Sequence, residues 1–474
     1  MHSYGCQPPD DMNTADMDTA LHVDLDLIRR YNKPGPRYTS YPTAPHFSRD
    51  YDVDAFAHDL GRATPDTPLS LYLHLPFCRS LCYYCGCHMK VTQNPTTIQR
   101  YVEAIKREID LVAERLDTRR PVVQIHWGGG TPTYLTAAQI EELGTHLYDR
   151  FAVTPDAEVS LEADPRGLTE DRVAAAVQVG FNRISFGVQD VNPVVQEAIN
   201  RIQPTDMVAE AFDWARHHGF GGINMDLVYG LPHQTEERFQ RTLDVVDRLN
   251  PDRIALYSYA HVPSMKKHQR VIDEDALPAP EEKLRLFKRG IEHLTGPGGY
   301  RFIGMDHFAR PNDALAKAQD EGDLHRNFQG YSTHSDAEVV AFGVSGISQL
   351  RGAYAQNVKA LPVYYDRIDR GELMTYRGVR LTDDDHLRRY VIGELMCNFQ
   401  LRKADVEERF GIDFDVVLGD AWARLAPLEA DGLVTCTPKA VHVRPAGRLL
   451  IRNVAMAFDA YWAHEERPVH AQTV

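Results

Sequence analysis

The sequence of 474 residues lacks three features, and each absence excludes a class of protein. No apolar run approaches the roughly 18 residues that a membrane-spanning helix needs, so we expect no membrane partner. Basic residues are too few for non-specific nucleic-acid binding, because 52 Lys and Arg stand against 67 Asp and Glu, a net charge of −15. The first twenty residues lack the basic and apolar regions of a secretion signal. We therefore expect a cytoplasmic enzyme.

Cysteine is also scarce, but its distribution is informative. Of seven cysteines, four form the pattern CxxxCxxCxC within one ten-residue stretch: Cys78, Cys82, Cys85 and Cys87. An odd total with one tight cluster does not describe a disulfide framework; it indicates metal ligation in a reducing compartment. Thiolates are soft ligands that suit iron–sulfur clusters or zinc.

The spacing of Cys78, Cys82 and Cys85 favours an iron–sulfur cluster, because structural zinc sites usually combine separated CxxC pairs or distant histidines. Three thiolates on a cubane cluster leave one iron open for another ligand. The alternative from another class of protein is a zinc-stabilised winged-helix regulator. The spacing alone leaves open whether Cys87 is a fourth ligand.

Apolar runs typical of strands alternate with helical patterns between about residues 70 and 350. The six main strand candidates are residues 69–75, 122–127, 158–163, 183–188, 222–229 and 253–259. Residues 300–305 and 338–347 are candidates to extend the same sheet. Such β–α repeats predict a parallel sheet with helical crossovers, either a barrel or a doubly wound sheet. Apolar spacing from Ile98 to Leu116 predicts a helix, and Thr136 with Gln139 predicts a capping box.

The chain divides into four predicted parts. Residues 1–20 are an expected disordered tail, residues 21–52 an arm over the active site, and residues 53–365 the α/β catalytic domain. Residues 366–474 form a helical C-terminal domain, in which three helical segments, a short hairpin and a closing helix over 446–462 resemble a winged helix. Mixed charges in this region disfavour DNA binding.

Unusual residues stand in or at the ends of the predicted strands. The first strand runs into the cysteines and the second into three glycines that begin at Gly128. The third ends at Glu162, the fourth runs into Gln189, and the fifth carries Asp226. Active sites of barrels and open α/β sheets form at the carboxyl ends of strands. We therefore expect these segments to converge on one pocket.

The cysteine pattern and the glycine-rich loop on a β–α scaffold resemble the radical S-adenosylmethionine (SAM) superfamily. More narrowly, nearly the whole sequence resembles the oxygen-independent coproporphyrinogen III oxidase family. The segments that carry this resemblance are GPRYTSYPT (35–43), SLYLHLPFCRSLCYYCGC (70–87), HWGGGTPTYL (126–135), ISFGVQD (184–190), NMDLVYGLP (224–232), FIGMDHFARP (302–311), LHRNFQGYST (324–333) and GRLLIRN (447–453). The resemblance implies an α/β fold: a partial (β/α)6 TIM-like barrel with extra strands and a mainly helical, winged-helix-like C-terminal domain.

The resemblance also implies a reaction. In that family a [4Fe-4S] cluster held by three cysteines binds SAM at its open iron and cleaves it to methionine and a 5′-deoxyadenosyl radical. The radical removes a hydrogen atom from a propionate of coproporphyrinogen III, and loss of CO2 and one electron leaves a vinyl group. Two such decarboxylations give protoporphyrinogen IX. The implied partners are coproporphyrinogen III and an unidentified low-potential electron donor, and the implied state is a monomer.

The resemblance assigns roles to individual residues. It makes Cys78, Cys82 and Cys85 the cluster ligands and Cys87 an important residue that does not bind the cluster. The family binds two SAM molecules, and the first site is implied to contain Tyr72, Gly129, Glu162 and Ile347. The second site is implied to contain Tyr84, Gly130, Thr131, Gln189, Arg201, Asp226 and Ala260.

Four substrate carboxylates require local cations in a chain of net charge −15. The candidates are Arg37 in the arm and Arg310 and Arg326 in matching segments; the alternative for each is a surface ion pair. His307 and His325 are expected either to contact propionates and water or to be structural.

Structural alternatives exist for the other positions as well. The glycines could form only a tight turn, the carboxylates could pair with arginines, Tyr72 could be core, and the arm could be a strut. The rival function within the superfamily is a haem-handling homologue, although such relatives generally lack Cys87 and the YTSYPT arm.

Overall fold

The computed structural model describes residues 20–62, 64–462 and 472–474. The predicted tail therefore lies outside the described residues apart from Ala20, and so does Cys6. The strands are β1 (Leu69–Leu75), β2 (Phe77–Cys78), β3 (Lys90–Val91), β4 (Pro121–Gly129), β5 (Ala152–Ala163), β6 (Arg183–Gln189), β7 (Gly222–Tyr229), β8 (Arg253–Ser258), β9 (Arg301–Gly304), β10 (His307–Ala309), β11 (His325–Asn327), β12 (Gly330–Ser332), β13 (Glu338–Phe342), β14 (Ile347–Leu350), β15 (Ala353–Asn357), β16 (Thr375–Arg380), β17 (Gln400–Arg402), β18 (Val434–Cys436) and β19 (Ala440–Val443).

The helices lie mainly between these strands. They are α1 (Leu25–Tyr31), α2 (Val53–Leu60), α3 (Pro95–Ala113), α4 (Ala137–Arg150), α5 (Glu170–Gln178), α6 (Pro193–Ala198), α7 (Thr205–His217), α8 (Glu236–Leu249), α9 (Pro280–Thr295), α10 (Ala314–Glu321), α11 (Leu361–Asp369), α12 (Asp383–Asn398), α13 (Lys403–Phe410), α14 (Phe414–Leu418), α15 (Ala421–Ala430), α16 (Pro445–Leu449) and α17 (Ile451–Ala455).

One large sheet organises the molecule. Its strand order is β16-β15-β14-β13-β1-β4-β5-β6-β7-β8-β10-β9. The strands from β13 to β8 in this order are parallel to their neighbours, and antiparallel strands complete both ends. From β4 to β8 the spatial order follows the chain order, as successive crossovers of one hand produce. The sheet is an open barrel whose edges are β16 and β9.

The six predicted main strands are all present in this sheet. Two coincide with β1 and β7, and β6 and β8 differ from prediction by a residue at one end. β5 begins at Ala152, earlier than predicted. The prediction missed its first half because that half is largely exposed and carries no apolar pattern. The predicted run 338–347 is two strands rather than one, since the chain turns at Gly343, which has a φ of +89°.

The helices bury apolar stripes against the sheet. Helix α3 begins at Pro95, with the side chain of Asn94 accepting a hydrogen bond from the backbone at its amino end. It ends at Ala113, so the predicted helix was too long, although Leu116 is buried beyond its end. The predicted capping box is present at the start of α4, between Thr136 and Gln139.

The C-terminal region is mainly helical and contains a three-stranded sheet in the order β17-β19-β18. The predicted hairpin therefore gains a third strand. The predicted closing helix over 446–462 is broken into α16, α17 and a 3-10 turn at Met456–Phe458. Strand β16 lies beyond the predicted domain boundary at residue 365 but pairs with β15 in the large sheet. The domain division itself remains a prediction.

The N-terminal arm contacts both the C-terminal region and the edge of the large sheet. Tyr38 donates a hydrogen bond to the carboxylate of Asp459 at 2.8 Å, and Arg452 Nε donates to the carbonyl of Pro36 at 2.8 Å. Farther along, the backbone of Ser48 pairs with that of Gly378. The arm thus joins the first and last parts of the chain.

Candidate active site

The cysteines of the motif lie in the segment 76–89 that follows β1, which contains the two-residue β2 and which we call the cysteine loop. Polar groups donate hydrogen bonds to three of the four sulfur atoms. Thr131 Oγ1 donates to Cys78 Sγ at 3.5 Å. The backbone N–H of Cys87 donates to Cys85 Sγ at 3.4 Å. Cys82 Sγ receives the guanidinium N–H groups described below. Hydrogen bonds to sulfur stabilise the thiolate, which is the form that binds metal.

Two arginines hold Cys82. Arg166 Nη2 donates to Cys82 Sγ at 3.1 Å, and Arg201 Nη1 donates to it at 3.4 Å. Both arginines also bond the carboxylate of Asp164, at 2.7 and 3.0 Å. Burial raises the pKa of Asp164, but Arg201 and Arg166 outweigh that effect and lower it. A balanced charge network therefore surrounds one sulfur.

The donor set fits an iron–sulfur group, whose iron atoms take soft thiolate ligands. Among the described residues, no three or more His, Cys, Asp or Glu side chains are grouped closely enough to hold one metal ion. Burial raises the pKa of the Cys78 thiol to about 12, so its thiolate needs a cation beside it. Three cysteines on one loop, each with a donor to its sulfur, provide soft ligands for such a cation.

The glycine loop after β4 lies directly against the start of the cysteine loop. Gly130 N–H donates to the carbonyl of Leu75 at 2.8 Å. A Cβ atom on Gly130 would lie 2.6 Å from the Pro76 backbone, and one on Gly129 would lie 2.7 Å from the His74 ring. Gly129 also has a φ of +116°. Close approach and backbone conformation both require glycine here.

A row of polar side chains lines one face of the parallel strands. Tyr72 in β1 pairs in register with His126 in β4, and their rings stack with centroids 5.9 Å apart. His126 in turn pairs with Ser160 in β5. The Tyr72 hydroxyl bonds Nδ1 of His74 at 3.0 Å. Because side chains alternate along a strand, these groups all face one side of the sheet.

Two carboxylates of this row differ in their ionisation. Burial raises the pKa of Glu162, but a hydrogen bond and the charge of His126, the Gly129 N–H that donates to Glu162 at 2.9 Å and the charge of His74 together outweigh it. The pKa of Glu162 is therefore lowered. Burial, reinforced by the charge of Glu162, raises the pKa of Asp226 to about 7. Asp226 accepts hydrogen bonds from Asn224 at 2.8 Å and Ser185 at 3.1 Å.

Most residues predicted for the two SAM sites occupy different parts of the sheet, although Gly129 of the first site and Gly130 of the second are consecutive. Those of the first site are on β1, β4, β5 and β14, where Tyr72, Gly129, Glu162 and Ile347 lie. Those of the second site are on or beside β6, β7 and β8, together with the loops at Tyr84 and Thr131. Gln269 Nε2 donates to the carbonyls of Tyr84 at 3.1 Å and Ala260 at 3.2 Å, which brings these two positions together.

Two of the three predicted substrate arginines lie near this face. Arg37 forms an ion pair with Asp306 in the β9–β10 turn. Arg326, 8% exposed, stacks on the ring of Tyr331 at 4.8 Å, but its Nε and Nη1 have no hydrogen-bond partner among the described residues. His307 Nδ1 is likewise buried without a partner in the described structure. Burial lowers the pKa of His307 to about 3, so its ring is neutral.

Tyr257 connects the carboxylate row with these arginines. Burial and the charges of Asp226 and Asp306 raise the pKa of its hydroxyl, whereas Arg37 lowers it. Its ring lies 6.1 Å from that of His307. The groups predicted to bind cofactor and substrate thus share one interior.

Arg310 does not lie in this interior, contrary to the prediction. Its Nη1 donates to the carbonyl of Gly298 at 2.6 Å, its Nη2 bonds Asn250, and its guanidinium stacks 3.7 Å from the centre of the Tyr300 ring. These neighbours lie at the amino end of β8, because β10 runs antiparallel to β8 and places Ala309 beside Arg253. Sequence matching alone could not reveal this reversal. For His325, burial lowers the pKa to about 4, and its role remains a prediction.

Sequence reasoning missed several groups of the site. The sequence analysis predicted no functional role for His74, His126, Asp164, Arg166, Ser185, Asn224 or Tyr257. The signal was present: in β1, β4, β6 and β7, polar residues recur at every second position of otherwise apolar strands. In a strand buried on both faces, such a stripe marks the face that lines a site.

The fold and the site together define a radical SAM enzyme: an open parallel barrel with three cysteines on the loop after its first parallel strand. A Radical SAM superfamily model matches residues 72–246, and a HemN C-terminal domain model matches residues 381–450. The [4Fe-4S] cluster and SAM are the cofactors of this class.

Full-length relatives define the family. An oxygen-independent coproporphyrinogen III oxidase of Synechocystis sp. is 46% identical over 94% of this chain and 97% of the relative. One of Escherichia coli is 47% identical over 94% of this chain and 96% of the relative. The solved structure of the Escherichia coli coproporphyrinogen III oxidase, described as a radical SAM enzyme, superposes with a TM-score of 0.89 at 46% identity, covering 93% of this chain and all of that one. The chain belongs to the oxygen-independent coproporphyrinogen III oxidase family.

These matches do not favour the two alternatives. The cysteines belong to a radical SAM domain rather than to a zinc-stabilised regulator. The full-length relatives reported above are oxidases, and they do not point to a haem-handling homologue. In the described part of the chain, no helix combines the length and apolar character needed to cross a membrane.

Proposed function

We propose that this protein catalyses the anaerobic oxidative decarboxylation of two propionates of coproporphyrinogen III to vinyl groups, giving protoporphyrinogen IX. The observation that carries the proposal is the cysteine loop: its sulfurs receive hydrogen bonds from the glycine loop and from two arginines, at the carboxyl ends of the parallel strands. When bound, the reduced cluster and SAM supply a carbon-centred radical that removes one hydrogen atom from the substrate side chain.

We assign the cluster ligands to Cys78, Cys82 and Cys85, with Cys87 as a neighbour that does not bind it. The protein holds the Cys82 thiolate with Arg166 and Arg201, which limits its exposure to water and proton donors.

The first SAM site consists of Tyr72, Gly129, Glu162 and Ile347. Glu162 is ionised, and it is fixed by the N–H of Gly129, so it accepts hydrogen bonds from an ammonium or ribose group. The glycine permits close approach of a ligand to the backbone.

The second SAM site, proposed for two molecules in total, consists of Tyr84, Gly130, Thr131, Gln189, Arg201, Asp226 and Ala260. Asp226 is held by Ser185 and Asn224, and with its pKa of about 7 it is partly protonated near neutral pH. It therefore either donates to or accepts from a ligand hydroxyl.

Substrate carboxylates are recognised by the cations near Tyr257. Arg326 offers two unpartnered N–H groups beside the neutral ring of His307, and Arg37 lies close by with Asp306. A carboxylate accepts charge-assisted hydrogen bonds from a guanidinium, so Arg326 suits a propionate. Arg310 is left out of the proposed site because of its position.

An anaerobic assay tests the proposal. Protein reconstituted with iron and sulfide is incubated with SAM, dithionite and coproporphyrinogen III, and the oxidised products are separated by chromatography. We expect protoporphyrin, with SAM cleaved to 5′-deoxyadenosine and methionine. Cluster-loaded protein that leaves all four propionates intact would contradict the proposal.

Arg326→Gln tests the substrate site. Because a charge-assisted contact contributes about 1.5–3 kcal/mol, we expect KM for coproporphyrinogen III to rise about tenfold or more, with a smaller change in kcat. The measurement is steady-state kinetics at saturating SAM. Arg310→Gln is the matched control and leaves KM unchanged; equal effects of the two substitutions would refute the assignment of Arg326.

The proposal also includes the oligomeric state, the cellular location and the electron donor of the enzyme. The enzyme acts as a monomer in the cytoplasm and takes its electron from a low-potential donor. A light-scattering mass near 53.7 kDa would support the monomer.

A further inference from the structure

Exposed apolar side chains are concentrated around the cysteine loop. Of the large apolar side chains in the described residues, four are more than 60% exposed, and three of these flank the loop: Ile202 (63%), Met265 (71%) and Val271 (61%). Exposed apolar groups placed together mark an interaction surface.

Ile202 approaches the loop from one side. Asn200 Nδ2 donates to the carbonyl of Leu81 at 2.7 Å, and Arg201 donates to Cys82 Sγ at 3.4 Å. Ile202 is the next residue of this short segment. It therefore lies on the outside of the loop, close to a sulfur of the proposed cluster.

The segment 265–271 approaches the loop from the other side. Lys266 Nζ donates to the carbonyl of Cys87 at 3.2 Å, and a ring nitrogen of His268 bonds the carbonyl of Cys85 at 2.7 Å. These hydrogen bonds join the segment directly to the loop. The rate of electron tunnelling falls steeply with distance, and an electron that enters at this segment has a short path to the proposed cluster.

One small apolar cluster holds both segments together. Ile199 and Ile272 belong to the same buried cluster, and Tyr83 and Tyr84 of the cysteine loop pack against it. Ile202 follows Ile199 closely in sequence, and Val271 directly precedes Ile272. The two exposed residues therefore belong to neighbouring parts of one surface.

The charge of this surface differs from that of the whole molecule. Residues 265–271, with the sequence MKKHQRV, carry three full cations and no carboxylate in a chain of net charge −15. Lys267 and Arg270 are exposed. Three acidic residues follow, Asp273, Glu274 and Asp275, and all three are exposed; Asp273 accepts a hydrogen bond from the N–H of Asp275, and Glu274 pairs with His261 at 3.1 Å. The cations of Lys267 and Arg270 thus face solvent beside the loop, and the three carboxylates stand next to them in sequence.

We propose that this surface, which we call the electron-entry face and define by Ile202, Met265, Lys267, Arg270 and Val271, docks an acidic one-electron carrier protein. The inference rests on the proposed function, because it requires a cluster to reduce. We take a flavin-containing carrier as the case to test. One electron leaves its anionic flavin hydroquinone, which becomes the neutral semiquinone, and this electron reduces the cluster from the 2+ to the 1+ state. The cations steer an acidic partner, and the apolar groups form a centre that excludes water.

The test compares two reductants on cluster-loaded protein. In the double variant Lys267→Glu, Arg270→Glu, we expect the second-order rate constant for cluster reduction by flavodoxin hydroquinone to fall about tenfold or more. Stopped-flow absorbance of the flavin follows this step, and calorimetry with oxidised flavodoxin reports the weaker binding. Turnover driven by dithionite stays at the wild-type level, which separates this inference from the proposed function.

The control carries the same charge change far from the loop. Lys317→Glu, Arg248→Glu has the same net charge, and both positions are exposed on α10 and α8. An equal effect of the control pair, or an unchanged flavodoxin rate in the test pair, would overturn the proposal. Should the test pair lose its cluster, Ile202→Ser, Met265→Ser is judged by the same comparison, with a lower flavodoxin rate at unchanged dithionite turnover as support.

Discussion

At the scale of single residues, Cys82 has the most demanding surroundings in the site. Its sulfur receives hydrogen bonds from two guanidinium groups that also bind Asp164. A hydroxyl in its place would keep the hydrogen bonds but lose the soft ligand that iron requires. The network alone therefore cannot replace the thiolate.

Cys82→Ser should abolish both the cluster and turnover. Iron and acid-labile sulfide analysis after anaerobic reconstitution measures the first, and the decarboxylation assay measures the second. Cys436→Ser, at a cysteine on β18 far from the motif in sequence, serves as the control and keeps both. Retained activity in the Cys82 variant would disprove the assigned ligand set.

Gly129 shows how one backbone position governs the site. Its positive φ and the His74 ring 2.7 Å from a hypothetical Cβ both exclude a side chain. Gly129→Ala should lower the free energy of unfolding by about 2 kcal/mol and weaken SAM binding. Denaturant melts and SAM titrations measure the two effects. Gly352→Ala, where no atom lies within 4 Å of the added Cβ, is the matched control and should be near neutral.

At the scale of elements, Glu108 connects helix α3 to three other parts of the fold. Its carboxylate accepts hydrogen bonds from Gly343 N–H after β13 at 2.7 Å, from Asn357 in β15 at 2.8 Å and from Tyr364 in α11 at 2.6 Å. Burial raises its pKa to about 7 in spite of these donors. The carboxylate is thus a connecting group that is costly to ionise.

This pKa implies a pH dependence of stability. Because the folded-state value of about 7 exceeds the ordinary value of 4.5, the contribution of Glu108 is full below pH 4.5 and is lost as pH rises through 7. Between these pH values the free energy of unfolding of the wild type should fall by roughly 3 kcal/mol, and Glu108→Gln should remove this fall. Urea melts across this range measure it, with Glu103→Gln on the exposed face of α3 as control. Parallel pH profiles for wild type and the Glu108 variant would contradict the prediction.

At the scale of the whole molecule, the arm and the C-terminal region close over the sheet together. Tyr38 and Tyr41 of the arm bond Asp459 and the N–H of Ala460, both near the C-terminal end of the described helices. These contacts span more than 400 residues of sequence. Loosening them should therefore affect both ends of the chain at once.

Tyr38→Phe tests this connection. Removing the hydroxyl takes a hydrogen bond from the buried Asp459. We therefore expect the free energy of unfolding to fall by about 1–2 kcal/mol and proteolysis to become faster at both ends of the chain. Chemical denaturation and mass-mapped limited proteolysis provide the measurements. Tyr148→Phe, at a tyrosine that is 41% exposed, is the control. Cleavage confined to one end would show that the two regions are not coupled.

The sequence by itself determined the local and chemical part of this protein. Apolar runs that alternate with helical patterns along the chain predicted the parallel strands. A strand that is buried on both faces requires such a run wherever it lies in the sheet. The spacing of Cys78, Cys82 and Cys85 predicted soft metal ligation, because three thiolates within eight residues reach one cluster without help from the fold. Gly129 and Glu162 were expected in one pocket because they stand at strand ends, and the family resemblance assigned them to the first SAM site.

Only the tertiary structure decided which distant groups meet. It placed His307 beside Tyr257 and Arg326 beside Tyr331, and it removed Arg310 from the site, because β10 runs antiparallel to β8 and carries that residue to the opposite end. It also split the predicted strand at Gly343 and brought Arg166 to Cys82. Strand direction and long-range packing set these contacts, and neither leaves a periodic signal in the sequence.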